Sequence, residues 1–210
     1  MDYSSELAKK LLEIEAVKLR PGEPFTWTSG LKSPIYCDNR MLVSHPEAVR
    51  LVVSAFMDII KRENLKFDYV SGTATAGIPW AAFLAYELKL PMIYVRPKPK
   101  EHGAGKQIEG DLRSGAHALV VEDLVSTGGS SCKTVEVLRR EGGATVTDVL
   151  AIFSYNFKES AKLFIESKVG LHTISDVEEL TKVAVDMQYI TVKEREMVIA
   201  FTRDPKGWQS

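Results

Sequence analysis

Glu122 and Asp123 stand side by side behind an apolar run, Ala118 to Val121, and are followed by Leu124-Val125-Ser126-Thr127-Gly128-Gly129-Ser130-Ser131. The run reads as a buried strand, and a helical pattern sets in from Ser130 to Arg140. Between the two, glycines let the backbone approach an anion. Ser126, Thr127 and Ser130 add hydroxyl donors where a helix N-terminus already favours negative charge. Two carboxylates, ionised at neutral pH, repel a bare phosphate but suit a diol, because an ionised carboxylate only accepts hydrogen bonds and a diol offers two. The ligand these residues suit is a ribose 5-phosphate unit, with its phosphate on the loop and its hydroxyls on the acids. Neither the Walker loop nor the dinucleotide fingerprint occurs, since Gly103-Ala104-Gly105-Lys106 lacks the upstream glycine and runs into Gln107.

A second group of residues with chemical potential lies between Arg96 and Ser114, where apolar periodicity fades and prolines, glycines and charges concentrate. Compact domains connect their elements with about 4 to 6 residues, so a stretch this long is expected to be a mobile lid, residues 97–114. Arg96, Lys98, Lys100, His102 and Lys106 would meet a dense anion, and Gly103 and Gly105 would allow closure.

These segments need a scaffold, and the remaining pattern supplies one. Leu7, Leu11, Leu12 and Ile14 give an amphipathic helix expected to end near Pro21-Gly22. Short strands follow at 25–28 and 34–37 around a Ser29-Gly30 turn. Then helix and strand alternate: helix Pro46 to Glu63, strand Phe67 to Ser71, helix Ile78 to Leu88, strand Met92 to Val95, the acid-bearing strand with its helix, and strand Thr145 to Phe153. Helices at Phe157–Ser167, Val177–Ala184 and Lys193–Phe201 and a strand near His172–Ile174 complete the chain. The expectation is an α/β fold with a mostly parallel central sheet flanked by helices, in one domain of 1–210, with residues 1–40 forming an N-terminal helix and short-strand cap.

Composition is consistent with this and narrows little. A net charge of −1 gives no reason to expect nucleic acid or an anionic membrane as partner. Cys37 and Cys132 have no metal-ligand spacing and read as core thiols. No apolar run approaches the roughly 20 residues of a membrane helix, so a soluble cytoplasmic protein is expected. His45 reads as a helix-entry residue, His117 and His172 as strand-edge residues, and Trp80 and Phe83 as core.

The acid pair and its loop resemble the phosphoribosyl pyrophosphate (PRPP) signature of the type I phosphoribosyltransferases. Three more blocks resemble the orotate branch of that family: Phe25-Thr26-Trp27-Thr28-Ser29-Gly30-Leu31-Lys32-Ser33-Pro34-Ile35-Tyr36, Gly72-Thr73-Ala74-Thr75-Ala76-Gly77-Ile78-Pro79, and Tyr94-Val95-Arg96-Pro97-Lys98-Pro99-Lys100-Glu101-His102-Gly103. The resemblance spans residues 25 to 131. It implies transfer of ribose 5-phosphate from PRPP to orotate, giving orotidine 5′-phosphate and diphosphate in pyrimidine (UMP) biosynthesis. It also implies Mg²⁺ carried on substrate oxygens without direct protein side-chain ligands, and a homodimer whose lids cross between subunits.

By motif position Arg96, Lys100 and His102 carry over as catalytic lid residues, with Lys100 the main lysine and His102 a pyrophosphate donor. Glu122 and Asp123 carry over to the ribose hydroxyls, and Leu124, Val125, Ser126, Thr127, Gly128, Gly129 and Ser130 to the rest of the PRPP contact. Ser126, Lys32 and Tyr36 carry over to orotate. Departures from the family occur at Thr28, Ala76, Pro97 and Tyr155-Asn156, where many members have basic residues. Amides of Thr73 to Ala76 would then hold pyrophosphate without a lysine. Two other readings share the signature: a purine or xanthine phosphoribosyltransferase, and a regulator that uses the fold as a nucleotide sensor.

Overall fold

The computed structural model describes residues 2–27, 29–99 and 106–208. Helix α1 (Tyr3–Glu13) begins where the Asp2 carboxylate accepts from the amides of Ser4 and Ser5, and it buries Leu7, Ala8, Leu11 and Leu12. It stops well short of Pro21, because Glu15 takes a left-handed φ of 55° and the following residues alternate instead of cycling. Val17 and Leu19 are buried while Lys18 between them is half-buried, so Val17–Leu19 is a strand, β1.

The cap strands pair differently from the expected hairpin. Strand β2 (Phe25–Thr26) pairs with β3 (Lys32–Ser33), whereas β4 (Ile35–Cys37) pairs antiparallel with β1. A 3₁₀ helix over Asn39–Ser44, not anticipated from the sequence, then leads to α2 (Pro46–Arg62), with His45 at its N-cap.

Five parallel strands and one antiparallel edge strand make the main sheet. They are β5 (Tyr69–Thr73), β6 (Met92–Val95), β7 (Ile108–Glu109), β8 (Ala118–Val125), β9 (Asp148–Ser154) and β10 (Gly170–Asp176), in spatial order β10-β9-β8-β5-β6-β7. Most expected strands are present with shifted ends. The largest shift is in β8, which runs on through Glu122 and Asp123 to Val125, because Leu124 and Val125 continue the ladder against β9. The acids are therefore part of the strand.

Alternation along the central strands divides the core. Leu119 and Val121 of β8 and Leu150 and Ile152 of β9 face one apolar cluster, which includes Leu11, Phe56, Trp80, Leu180 and Phe201. Val120 and Val149 face the other, with Leu138 and Phe164. Helices α3 (Gly77–Leu88), α6 (Val177–Asp186) and α7 (Val192–Arg203) join α1 and α2 on the first face, while α4 (Gly129–Gly142) and α5 (Lys158–Glu166) cover the second. Each fully buried aliphatic side chain adds about 1.5–3 kcal/mol, so a strand with both faces buried is held strongly in register.

Close packing explains two glycines. A Cβ on Gly77 would lie 2.5 Å from the Val121 carbonyl oxygen, and one on Gly72 would lie 2.9 Å from the Ile78 Cα. Their absence lets the start of α3 approach the middle of the sheet.

Candidate active site

The chain passes from β5 outward to β6 and then returns to the other side of β5 to form β8. The carboxyl ends of β5 and β8 therefore border a topological switch point, where open α/β sheets leave a crevice. A cavity of about 330 Å³ lies there, walled by Asp38 and Arg40 from the cap, Thr75 and Ala76 from the β5–α3 loop, Glu122 and Asp123 from β8, and Ser130 from α4. A wider open groove of about 940 Å³ between α4 and α5 has none of these acids in its wall.

Glu122 is 4% exposed, and its Oε2 accepts from the Ser130 and Ser131 hydroxyls at 2.9 and 3.0 Å, while Oε1 accepts from the Asp123 amide at 3.1 Å. Burial, reinforced by the neighbouring Asp123 charge, pushes the Glu122 carboxyl up to about 8, and burial raises Asp123 as well. Burial thus works against the expectation of two ionised carboxylates. Two adjacent acids removed from water resist losing both protons, and the Arg40 charge in the same wall offsets part of this at Asp123.

At the loop behind the acids, Gly128 has a φ of +81°, and a Cβ there would meet Phe164 at 2.9 Å. No side chain caps α4, and the amides of Thr127, Gly128, Gly129 and Ser130 donate to no described residue. Space is open over Gly129, where a Cβ would find only Thr127 Oγ1, at 3.8 Å. An uncapped helix N-terminus with open space over its first residue is built for an anion. The Ser130 hydroxyl, expected to point toward a phosphate, is instead donated to Glu122.

Across the cavity the β5–α3 loop contains a cis Ala74–Thr75 peptide. The Ala74 amide donates to the Val95 carbonyl at 3.3 Å, which leaves Thr75 and Ala76 with amides that donate to no described residue. The anion nest expected over Thr73 to Ala76 narrows to these two.

Other expected site residues are distributed unevenly. Arg96 follows β6, and its Nη1 pairs with Glu109 Oε1 at 3.2 Å. Lys100 and His102 lie outside the described residues. The later part of the expected lid is tied down: Gln107 is 4% exposed and exchanges hydrogen bonds with the Arg96 backbone at 2.9 Å, while Ile108 and Leu112 pack on the second core. Lys32 Nζ donates to Thr26 Oγ1 at 2.7 Å, and the half-exposed Tyr36 ring lies 5.7 Å from Phe25; neither lines the cavity with the acids.

Ser126 and Thr127 border a second cavity, about 600 Å³, together with Trp27, Leu31 and Phe157. Backbone donors of the 32–36 segment, expected to face the base, are partly used within the cap: Ile35 donates to Ser33 Oγ at 3.2 Å, and Tyr36 lies in the β1 ladder. Tyr155 is buried, its ring stacked on Phe157 at 5.4 Å and tilted against Trp27 at 5.4 Å.

Asn39 and Arg40 carried no expectation from the sequence. Asn39 is fully buried and donates to the Asp123 carbonyl, and Arg40 is clamped by Asp38 at the cavity wall. The available signal was the polar triplet Asp38-Asn39-Arg40 directly behind a strand, a composition that starts turns and caps.

Residues 38–186 match the family described as the phosphoribosyl transferase domain. The chain is 48% identical to an orotate phosphoribosyltransferase of Coxiella burnetii over 209 residues, covering 100% of both chains. It is 46% identical to one of Listeria innocua over 208 residues, covering 99% of each. Among solved structures, the orotate phosphoribosyltransferase of Aeropyrum pernix superposes with a TM-score of 0.74 at 33% identity, covering 88% of this chain and 99% of that one. No described helix is long and apolar enough to cross a membrane.

Proposed function

This chain belongs to the phosphoribosyl transferase family, and from its full-length identity to orotate phosphoribosyltransferases we infer the reaction it carries out. It transfers the ribose 5-phosphate group of PRPP to orotate, giving orotidine 5′-phosphate and diphosphate in pyrimidine biosynthesis. Beyond sequence identity, the reading rests on the meeting of three elements at one switch-point cavity: the acid pair Glu122–Asp123, the amides of Thr75 and Ala76, which donate to no described residue, and the uncapped start of α4.

In the proposed arrangement the α4 N-terminus and Thr127 to Ser130 hold the 5-phosphate, and Glu122 and Asp123 accept from the ribose hydroxyls. Thr75 and Ala76 donate to the diphosphate. As the bond to C1 breaks, positive charge develops on the ribose and negative charge on the departing diphosphate. The acids lie where they steady the first. Arg96, Lys100 and His102 are assigned to the second, and closure of a lid over the cavity would exclude water.

Burial of the acid pair favours its protonated form, and Mg²⁺ carried on the substrate's own oxygens would supply positive charge that favours the ionised pair. When bound, the ion offsets diphosphate charge. A homodimer that shares its lids and a cytoplasmic setting complete the proposal.

Orotate absorbance followed with protein, PRPP and Mg²⁺ tests the reading, with uracil and a purine as competing bases. Orotate is expected to be consumed, and uracil to react poorly for want of the carboxylate. Comparable turnover of uracil or a purine would overturn the base assignment.

A further inference from the structure

Arg40 is the one described basic side chain in the wall of the acid-lined cavity. Its Nε and Nη2 donate to Asp38 Oδ1 and Oδ2 at 2.6 and 2.7 Å, and Asp38 Oδ1 also accepts from the Arg40 amide at 3.2 Å. This double grip fixes the guanidinium plane. It also leaves both protons on Nη1 and one on Nη2 without a described acceptor, on the edge of the fork that points away from Asp38. The side chain is 67% exposed, so the edge is open to a ligand.

Three parts of the cavity have partners under the function proposed above. The acids take the ribose, the start of α4 takes the 5-phosphate, and the β5–α3 loop takes the diphosphate. The part that remains is the cap segment Cys37 to Arg40, and the substrate group that remains is the orotate carboxylate. An arginine already paired with an aspartate brings little net charge, which makes it a poor choice for a diphosphate. It retains two parallel N–H donors held in a plane, which is the geometry that recognises a carboxylate.

We propose that Arg40 selects the base: its free guanidinium edge receives the orotate carboxylate, and Asp38 is the positioning residue that holds the edge in place. The inference deepens the function proposed above and rests on it.

The test compares Arg40→Gln and Arg40→Lys with the unaltered chain. Arg40→Gln should raise KM for orotate on the order of 10²-fold and leave KM for PRPP within about threefold. Binding of the product separates recognition from fold: orotidine 5′-phosphate should weaken by the same order, while UMP, which lacks the carboxylate, should bind within about threefold of its original affinity. Arg40→Lys keeps the charge without the fork and should fall between. Equal weakening of orotidine 5′-phosphate and UMP, a KM for PRPP that rises as much as that for orotate, or an unchanged KM for orotate would each overturn the proposal. If the unaltered chain fails to consume orotate, the function itself is refuted, an outcome distinguishable from loss in the variants alone.

Discussion

Asn39 reaches from the N-terminal cap to the acid strand and donates its side-chain amide to the Asp123 backbone carbonyl at 2.6 Å. Asn39 is fully buried, and its Oδ1 accepts from the Cys37 thiol at 3.2 Å, so both ends of the amide are engaged. The cap segment carrying Arg40 is thus fixed to the strand carrying the acids by one side chain.

Removing that amide should cost both stability and geometry. Asn39→Ala leaves the Asp123 carbonyl without its donor in a buried position, and unfolding in urea should show a loss of about 2 kcal/mol. Because the cap and β8 would lose their shared alignment, kcat/KM for orotate should fall further than the stability change alone would require. A variant with unaltered kcat/KM would show that the link serves the fold only.

The acid pair gives the free protein a pH signature. Glu122 carries a proton up to about 8 in the fold against its usual 4.5, so between those values the folded chain binds more protons than the unfolded one. Stability from this group is therefore complete below about 4.5 and is lost as pH rises toward 8. If the ribose hydroxyls and the accompanying cation require the ionised pair, PRPP binding near pH 7 must release a proton. Calorimetry in buffers of different ionisation enthalpy should detect that release, and Glu122→Gln should abolish it. Binding enthalpies independent of buffer in the unaltered chain would contradict the shared proton.

What could be read from the sequence was set by periodicity and by local motif. The helix–strand alternation from Pro46 onward is expressed in runs such as Ala118 to Val121, whose burial on both faces is written directly as unbroken apolar residues. The cap was less legible. Val17–Leu19 pairs with Ile35–Cys37 across sequence that has its own turn residues, and no local rule selects that partner over the nearer one. The ends of β8 were hidden because Glu122 and Asp123 look like a strand terminus, although the ladder to β9 continues beneath them. Arg40 was missed because its position depends on where a 3₁₀ turn delivers it, which only the tertiary fold determines.

The two glycines of the phosphate loop should respond differently to substitution. Gly128 has a positive φ and stands against Phe164, so Gly128→Ala should destabilise the fold by about 1–3 kcal/mol. Gly129 has open space above it, so Gly129→Val should fold normally yet raise KM for PRPP at least tenfold, since the added methyls occupy the phosphate approach. A melting temperature that drops for Gly129→Val with no change in KM would reverse the assignment.

Which subunit each lid serves is decided by mixing two inactive variants. Residues 107 to 109 are anchored by Gln107 and the β6–β7 ladder, so Lys100 and His102 lie in sequence between two fixed points, Arg96 and Gln107. Lys100→Ala should lower kcat on the order of 10²-fold or more with a smaller effect on KM, because the charge it meets grows only as the bond breaks. Asp123→Asn should impair the ribose grip in the other half of the site. When the two inactive chains are mixed and allowed to exchange, a lid that crosses the interface gives each mixed dimer one intact site, and about a quarter of the original activity should return. Exchange demonstrated by mass with no recovery would assign each lid to its own subunit.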